Sequence, residues 1–124
     1  MPRENGVEYG HDCSAGKSIT VWQSFDGRRF QDFEGITHQH LSNIYYWTHV
    51  VNPEWYNESV KHKIKVAIDR KFDGELLEYR PLARFKTEMD TLRKRGWLKE
   101  YENETRVVVD GKVIGRVDEY TNPI

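Results

Sequence analysis

Two Asp-Gly pairs, each set between short runs of β-prone residues, constrain this chain more than any other feature of its sequence. Asp26-Gly27 lies inside SITVWQSFDGRRFQDF, and Asp110-Gly111 lies inside RVVVDGKVIGRV. Asp-Gly is a preferred dipeptide of the two-residue type I′ hairpin loop, because both residues of that loop need a positive φ. The sequence therefore predicts one β-hairpin over about residues 18–33 and a second over about residues 106–117.

Between the two predicted hairpins, residues recur at helical spacing. Thr37 supplies a side-chain oxygen suited to an N-cap, and one face of a first helix follows at positions 41, 44, 45, 48 and 51. A second helix is predicted to begin with Asn52 as its N-cap and Pro53 at its first position, and Gly74 lies where a C-terminal cap is needed. The inward face of this second helix comprises Tyr56, Val60, Ile64, Ala67, Ile68 and Phe72.

A third helix is predicted over residues 81–95, with Leu82, Phe85, Met89 and Leu92 on one face and a stop at Gly96. The predicted fold class is therefore α+β, with a β-hairpin, three helices and a β-hairpin in one small domain over residues 18–124. Residues 1–17 are predicted to form a flexible N-terminal arm.

The length and composition are those of a single globular domain. The chain has 124 residues, of which 37% are hydrophobic and 31% are charged, and domains most often have about 100–150 residues. No apolar run approaches the roughly 18 residues that span a bilayer, and the N-terminus has no apolar signal region. The single cysteine, Cys13, cannot form an internal disulfide. We therefore expect a cytoplasmic protein that makes no membrane contact.

Charge is unevenly distributed along the chain. The net charge is −4 over residues 1–58, +6 over residues 59–99 and −3 over residues 100–124. A basic patch commonly binds phosphate or an acidic protein surface, although lysine and arginine also solvate the outer faces of helices. The basic middle segment is therefore a candidate binding region.

No arrangement of residues indicates catalysis or a cofactor. GHDCSAGKS resembles a phosphate-binding loop, but five residues rather than four separate Gly10 and Gly16. His38 and His40 lie about 200° apart around a helix, so they cannot ligate one ion from the same helical face. We predict no catalytic residues, no metal and no cofactor, and we expect that the protein is not an enzyme.

The segment TLRKRGWL, residues 91–98, resembles the end of the recognition helix of winged-helix proteins, and the second hairpin follows it as a wing would. In that interpretation Arg84, Lys86, Arg93 and Lys94 contact phosphates, and Lys112 contacts the nucleic-acid backbone from the tip of the wing. Nucleic acid is the second choice of partner, because the net charge of −1 is unlike that of most dedicated DNA-binding proteins. The same basic residues could contact a protein partner or a small phosphate ligand.

The segment VWQSFDGRRFQDFEG is similar to an Asp-Gly hairpin pattern of small accessory proteins encoded by bacteriophages. That resemblance implies a binding protein in the host cytoplasm, which either inhibits a host enzyme or defence component or sequesters a nucleotide signal. The residues predicted to form its aromatic ligand surface are His38, His40, Tyr46, Trp47 and Trp97. The large aromatics Tyr46, Trp47, Trp55 and Trp97 exceed what one small helical core needs, which also favours a homo-oligomer.

Overall fold

The computed structural model describes residues 7–12, 17–24 and 26–118, with side chains described from residue 21 onward, and it confirms the α+β fold class. The three helices are α1 (His38–Tyr46), α2 (Glu58–Phe72) and α3 (Lys86–Lys94). A π-helical turn, Trp47–Val51, extends α1, and a 3-10 turn covers Pro53–Trp55. The strands are β1 (Val7–Asp12), β2 (Lys17–Gln23), β3 (Arg29–Gln31), β4 (Leu98–Glu100), β5 (Thr105–Val109) and β6 (Lys112–Arg116).

The first antiparallel sheet has the order β1-β2-β3, and β2 and β3 form the first predicted hairpin. Its loop covers residues 24–28, because the last pair of the ladder is Gln23 opposite Arg29. The predicted two-residue type I′ loop is therefore wrong. The carboxylate of Asp26 accepts hydrogen bonds from the Ser24 hydroxyl and from the Arg28 backbone N–H, and these side-chain bonds stabilise the wider loop.

Strand β1 lies within the segment predicted as a flexible arm. It pairs with β2 along its whole length, from Val7 opposite Trp22 to Asp12 opposite Lys17. This strand was not predicted, because it contains Gly10, and glycine weakens a strand pattern. The remaining residues of the predicted arm, 1–6 and 13–16, lie outside the described residues.

The second antiparallel sheet has the order β4-β5-β6. Val109 pairs with Lys112 around Asp110 and Gly111, whose φ angles are 51° and 80°. Positive φ at both loop residues is what a type I′ loop requires, so the second hairpin is confirmed. Strand β4 pairs with β5 and was not predicted.

The first two helices differ at one boundary from the prediction. Thr37 caps α1 as expected, accepting a hydrogen bond from the His40 backbone N–H at 3.1 Å. Asn57, rather than Asn52, caps α2, and its side chain accepts from the Val60 backbone N–H at 3.0 Å. The predicted start at residues 52–53 is wrong, because Asn52 is buried and its side chain binds another part of the chain.

The third helix begins at Lys86 rather than at residue 81. Tyr79 and Leu82 form parallel bridges to Gly115 and Asp118, so the connector after α2 extends along the second sheet. These backbone hydrogen bonds replace those of the first predicted helical turn, and the prediction of a helix from residue 81 is wrong in this part.

One hydrophobic core joins the two sheets and the three helices. Trp22 and Phe33 come from the first sheet and the turn after it, and Val107 comes from the second sheet. The helices contribute much of the remaining core, including Leu41, Ile44, Val60, Ile64, Ile68, Met89 and Leu92. No helix among the described residues is both long and apolar enough to cross a membrane.

Candidate functional site

A cleft of about 690 Å³ opens between the turn that follows α1 and the C-terminal half of α3. We call it the tryptophan cleft. It is defined by its lining residues: Asn52, Trp55, Asp90, Thr91, Lys94, Arg95 and Trp97. The first two belong to the turn, and the others belong to α3 or directly follow it.

Trp55 and Trp97 are half-buried and provide the aromatic surface of the tryptophan cleft. Trp55 packs edge-on against Trp47, with ring centroids 6.1 Å apart. Trp97 follows Gly96, whose φ of 73° reverses the chain after α3. The backbone N–H of Trp97 donates to the Leu92 carbonyl at 3.0 Å. Within the described part of the chain, neither indole N–H has a hydrogen-bond partner. Both indoles can therefore donate to a ligand.

Arg95 joins the two sides of the tryptophan cleft. Its Nη2 donates to Oδ1 of Asn52 at 3.0 Å and to Oε1 of Glu54. Its Cζ lies 5.6 Å from the centre of the Trp97 ring, which is within cation-π range. These contacts fix the guanidinium and the Trp97 ring in one arrangement.

Asn52 is the buried polar residue in the wall of the tryptophan cleft. Its side chain has no exposed surface, and its Nδ2 has no hydrogen-bond partner among the described residues. Trp22 Nε1 and His40 Nε2 in the core have no partner among the described residues either, so this nitrogen does not by itself mark a ligand site.

Of the two cations that line the tryptophan cleft, Arg95 pairs with Glu54, and Lys94 has no ion-pair partner among the described residues. Asp90 lies 2.7 Å from Lys86 Nζ and 3.5 Å from Arg93 Nη1, and the hydrogen bond from Lys86 is the main reason that the pKa of Asp90 is lowered. Lys94 forms no ion pair with any described residue. Because Asp90 is already paired, Lys94 gives the cleft a positive charge.

A second cavity, of about 630 Å³, lies between residues 32–34 and α2. Its rim mixes acidic and basic side chains, and Lys71 lies 3.6 Å from the carboxylate of Glu34. Phe33 in its wall is 2% exposed, because the ring packs against Trp22 with centroids 6.4 Å apart. This cavity offers a ligand no exposed tryptophan, tyrosine or phenylalanine ring, so the tryptophan cleft is the candidate site.

The basic residues predicted to bind a partner or phosphate are all exposed: Arg84, Lys86, Arg93, Lys94 and Lys112. The structure brings Lys86, Arg93 and Lys94 together on α3, but of these five only Lys94 lines the cleft. The Arg84 guanidinium lies 5.1 Å from the centre of the Phe85 ring. Lys112 directly follows the loop of the β5–β6 hairpin.

Two of the residues predicted to form an aromatic ligand surface are core residues instead. Trp47 is fully buried, and its Nε1–H donates to the Tyr56 hydroxyl at 3.0 Å. His40 is 1% exposed and packs edge-on against Phe30 at 5.3 Å, and burial lowers the pKa of its imidazole to about 4. Both predictions are wrong because these side chains lie on the face of α1 and its π-helical extension that packs into the core.

Of the other three predicted residues, Trp97 lines the cleft, and His38 and Tyr46 make contacts elsewhere. The His38 ring stacks on Phe72 at 4.1 Å, and its Nε2 lies 2.7 Å from the Glu75 carbonyl oxygen. Tyr46 is half-buried, with its ring 5.5 Å from that of Tyr79.

The sequence pattern does not indicate that Asn52, Trp55 and Arg95 line one cleft. It predicts a helix cap at Asn52, places Trp55 among the surplus aromatics and assigns no function to Arg95. Asn52 and Arg95 are 43 positions apart, so no local pattern reveals their contact. The surplus of large aromatics was a usable signal, since such residues are enriched in binding sites.

Glu88 is a buried acidic residue in the core, away from the surface of the tryptophan cleft. Its Oε2 accepts a hydrogen bond from the Tyr79 hydroxyl at 3.0 Å, and its Oε1 accepts one from the Leu82 backbone N–H at 3.1 Å. Complete burial raises the pKa of this carboxyl to about 8, although both hydrogen bonds oppose the shift. Because the carboxyl has no exposed surface, we assign it to the packing of α3 and not to ligand binding.

No group of three or more histidine, cysteine, aspartate or glutamate side chains is arranged to hold a metal ion within the range that the structure describes. Comparison with protein-family models, with curated proteins and with solved structures finds no match for this chain. Its function is therefore inferred from the residues of the tryptophan cleft.

Proposed function

We propose that this protein acts by binding, without catalysis, and that it binds a small planar ligand in the tryptophan cleft. The observation that carries the proposal is the meeting of two half-buried tryptophans, Trp55 and Trp97, with the fixed guanidinium of Arg95 in one cavity. Stacking of a nucleobase on an aromatic side chain is worth about 1–3 kcal/mol, and every base offers a face for it.

The dimensions of the cleft favour a small molecule over a protein partner. Its volume of about 690 Å³ lies within the range of roughly 300–1,000 Å³ typical of small-molecule sites. The hydrogen-bonding groups on its walls include the free indole N–H groups of Trp55 and Trp97, which suit the carbonyl and ring-nitrogen acceptors of a base.

This proposal corresponds to one of the two roles implied by the resemblance to bacteriophage accessory proteins, the sequestration of a nucleotide signal. In that role the protein would lower the concentration of a free nucleotide in the host cytoplasm, and it would need only affinity for its ligand. Inhibition of a host protein has less support, because the cleft is a concave site of small-molecule size.

The winged-helix alternative has no comparable support. Helix-turn-helix units join their two helices through a turn of about three or four residues, whereas residues 73–85 separate α2 from α3. The basic side chains Lys86 and Arg93 are also engaged by Asp90.

Isothermal titration calorimetry with the four common ribonucleosides and their 5′-monophosphates tests the proposal. We expect at least one of them to bind, and we expect Trp97→Leu to weaken it about tenfold, since stacking is worth about 1–3 kcal/mol. Leucine keeps an apolar side chain against the core while removing the ring. Tyr101→Leu is the matched control, because Tyr101 is 45% exposed and does not line the cleft.

Urea denaturation of each variant shows whether the fold is retained. The proposal fails if no ligand of this panel binds the wild-type protein, or if Trp97→Leu and Tyr101→Leu bind as the wild type does.

A further inference from the structure

The cationic groups around the tryptophan cleft are not equally available to a ligand. Arg95 is bound to the Glu54 carboxylate and to Asn52. Lys86 and Arg93 both lie against Asp90. Arg95 therefore has a carboxylate of its own, whereas Lys86 and Arg93 share one carboxylate and lie outside the lining of the cleft.

Lys94 differs from these cations in both position and partner. It lines the cleft, it is exposed, and it forms no ion pair within the described chain. An anionic ligand in the cleft therefore meets one uncompensated point charge.

The chemistry of lysine indicates which anion this site suits. Lysine presents three donors from a compact charge on a flexible stem and is a common phosphate-binding residue. Arg95, in contrast, is held in place by its contacts to Asn52, Glu54 and Trp97, so it acts as a positioning residue for the aromatic wall.

We infer that the ligand of the tryptophan cleft carries a phosphate group, and that Lys94 is the residue that recognises it. The inference rests on the proposed function, since it needs a planar ligand beside Trp97. The phosphate could belong to a mononucleotide or to the backbone of a single-stranded oligonucleotide, and the same lysine would contact either.

The test compares adenosine, AMP and a short single-stranded DNA by isothermal titration calorimetry with three proteins: wild type, Lys94→Gln and Lys99→Gln. Lys99 is the matched control, because it is also exposed, also lacks an ion pair among the described residues, and lies outside the cleft on β4. We expect the wild type to bind AMP roughly fivefold more tightly than adenosine, which is the size of one well-placed exposed ion pair.

In Lys94→Gln the preference for AMP over adenosine should fall to near one, while Lys99→Gln keeps it. If the DNA binds more tightly than AMP and Lys94→Gln removes that gain, the phosphate source is the oligonucleotide and the inference is supported. Equal binding of adenosine and AMP by the wild type, or equal losses in Lys94→Gln and Lys99→Gln, would overturn the role of Lys94. If adenosine still binds the wild type in that case and Trp97→Leu weakens it, the proposed function survives, and it fails only if no nucleoside or monophosphate of the full panel binds.

Discussion

The buried carboxyl of Glu88 makes the stability of this protein depend on pH in a predictable direction. The pKa of Glu88 is about 8 in the folded state, against an ordinary value of 4.5. The folded state therefore keeps a proton that the unfolded state releases. The stabilising contribution of this proton is complete below pH 4.5, declines as the pH rises and is lost above the folded-state pKa of about 8.

The useful pH window for observing Glu88 lies above 6.5. Burial lowers the pKa of both His40 and His49 from the ordinary value of 6.5, so between the folded and unfolded values these histidines make stability rise with pH. That slope opposes the slope from Glu88 below pH 6.5. From pH 6.5 to 8 the Glu88 slope of about 1.4 kcal/mol per pH unit predicts a loss of about 2 kcal/mol in the free energy of unfolding.

Glu88→Gln removes the titrating group and preserves its shape. The glutamine carbonyl can still accept from the Leu82 backbone N–H, and its amide group can pair with the Tyr79 hydroxyl. Urea denaturation followed by tryptophan fluorescence should show the free energy of unfolding of the wild type falling by about 2 kcal/mol relative to that of Glu88→Gln between pH 6.5 and 8. Glu102→Gln, an exposed control, should follow the wild type. Parallel pH dependences for the wild type and Glu88→Gln would refute this reasoning.

Two further predictions concern buried groups. The imidazole of His40 has a pKa of about 4 in the folded state, so the wild type loses stability as the pH falls from 6.5 toward 4. We expect the free energy of unfolding of His40→Leu to rise relative to that of the wild type by up to about 1.4 kcal/mol per pH unit over this range. A constant difference between the two proteins in urea denaturation at these pH values would contradict the prediction. A Cβ on Gly115 would lie 1.7 Å from the Tyr79 carbonyl oxygen, so Gly115→Ala should lower the free energy of unfolding by at least about 3 kcal/mol. Val113→Ala is the control, because Val113 is 49% exposed, and it should change the free energy of unfolding by about 0.5 kcal/mol or less.

The features of the fold that could be predicted are those with a local cause. Thr37 caps α1 through its own hydroxyl, and Asp110-Gly111 closes the second hairpin through the φ angles of two adjacent residues. The strands that were missed, β1 and β4, have weak patterns of their own and depend on pairing with β2 and β5. Sequence periodicity cannot report such pairing, because the partner strand supplies the stabilising contacts.

The first hairpin loop shows where a local signal is insufficient. Asp26-Gly27 and Asp110-Gly111 are the same dipeptide, yet only the second forms a two-residue loop. The first has Ser24 two positions before its aspartate, and the hydroxyl of Ser24 binds that carboxylate. A flanking polar side chain therefore changes the geometry that the dipeptide alone would adopt.

The candidate site could be predicted only in part, for the same reason. The basic third helix predicts Lys94 as a phosphate contact and the surplus of large aromatics indicates Trp97, and both residues line the cleft. Asn52 and Arg95 were not predicted as site residues, because their contact depends on how the turn after α1 packs against the end of α3. A site assembled from two distant segments becomes visible only when the packing of those segments is known.

Helix α3 links the core of the protein to the tryptophan cleft. It has nine residues, and helices shorter than about 12 residues are marginal in isolation, so its position depends on tertiary contacts. Met89 and Leu92 are buried, and Glu88 is bound to the connector, which fixes the inward face. The same helix presents Lys94 to the cleft. Weaker ligand binding with lower stability therefore indicates a displaced helix, whereas weaker binding at unchanged stability in Lys94→Gln indicates a lost contact to the ligand.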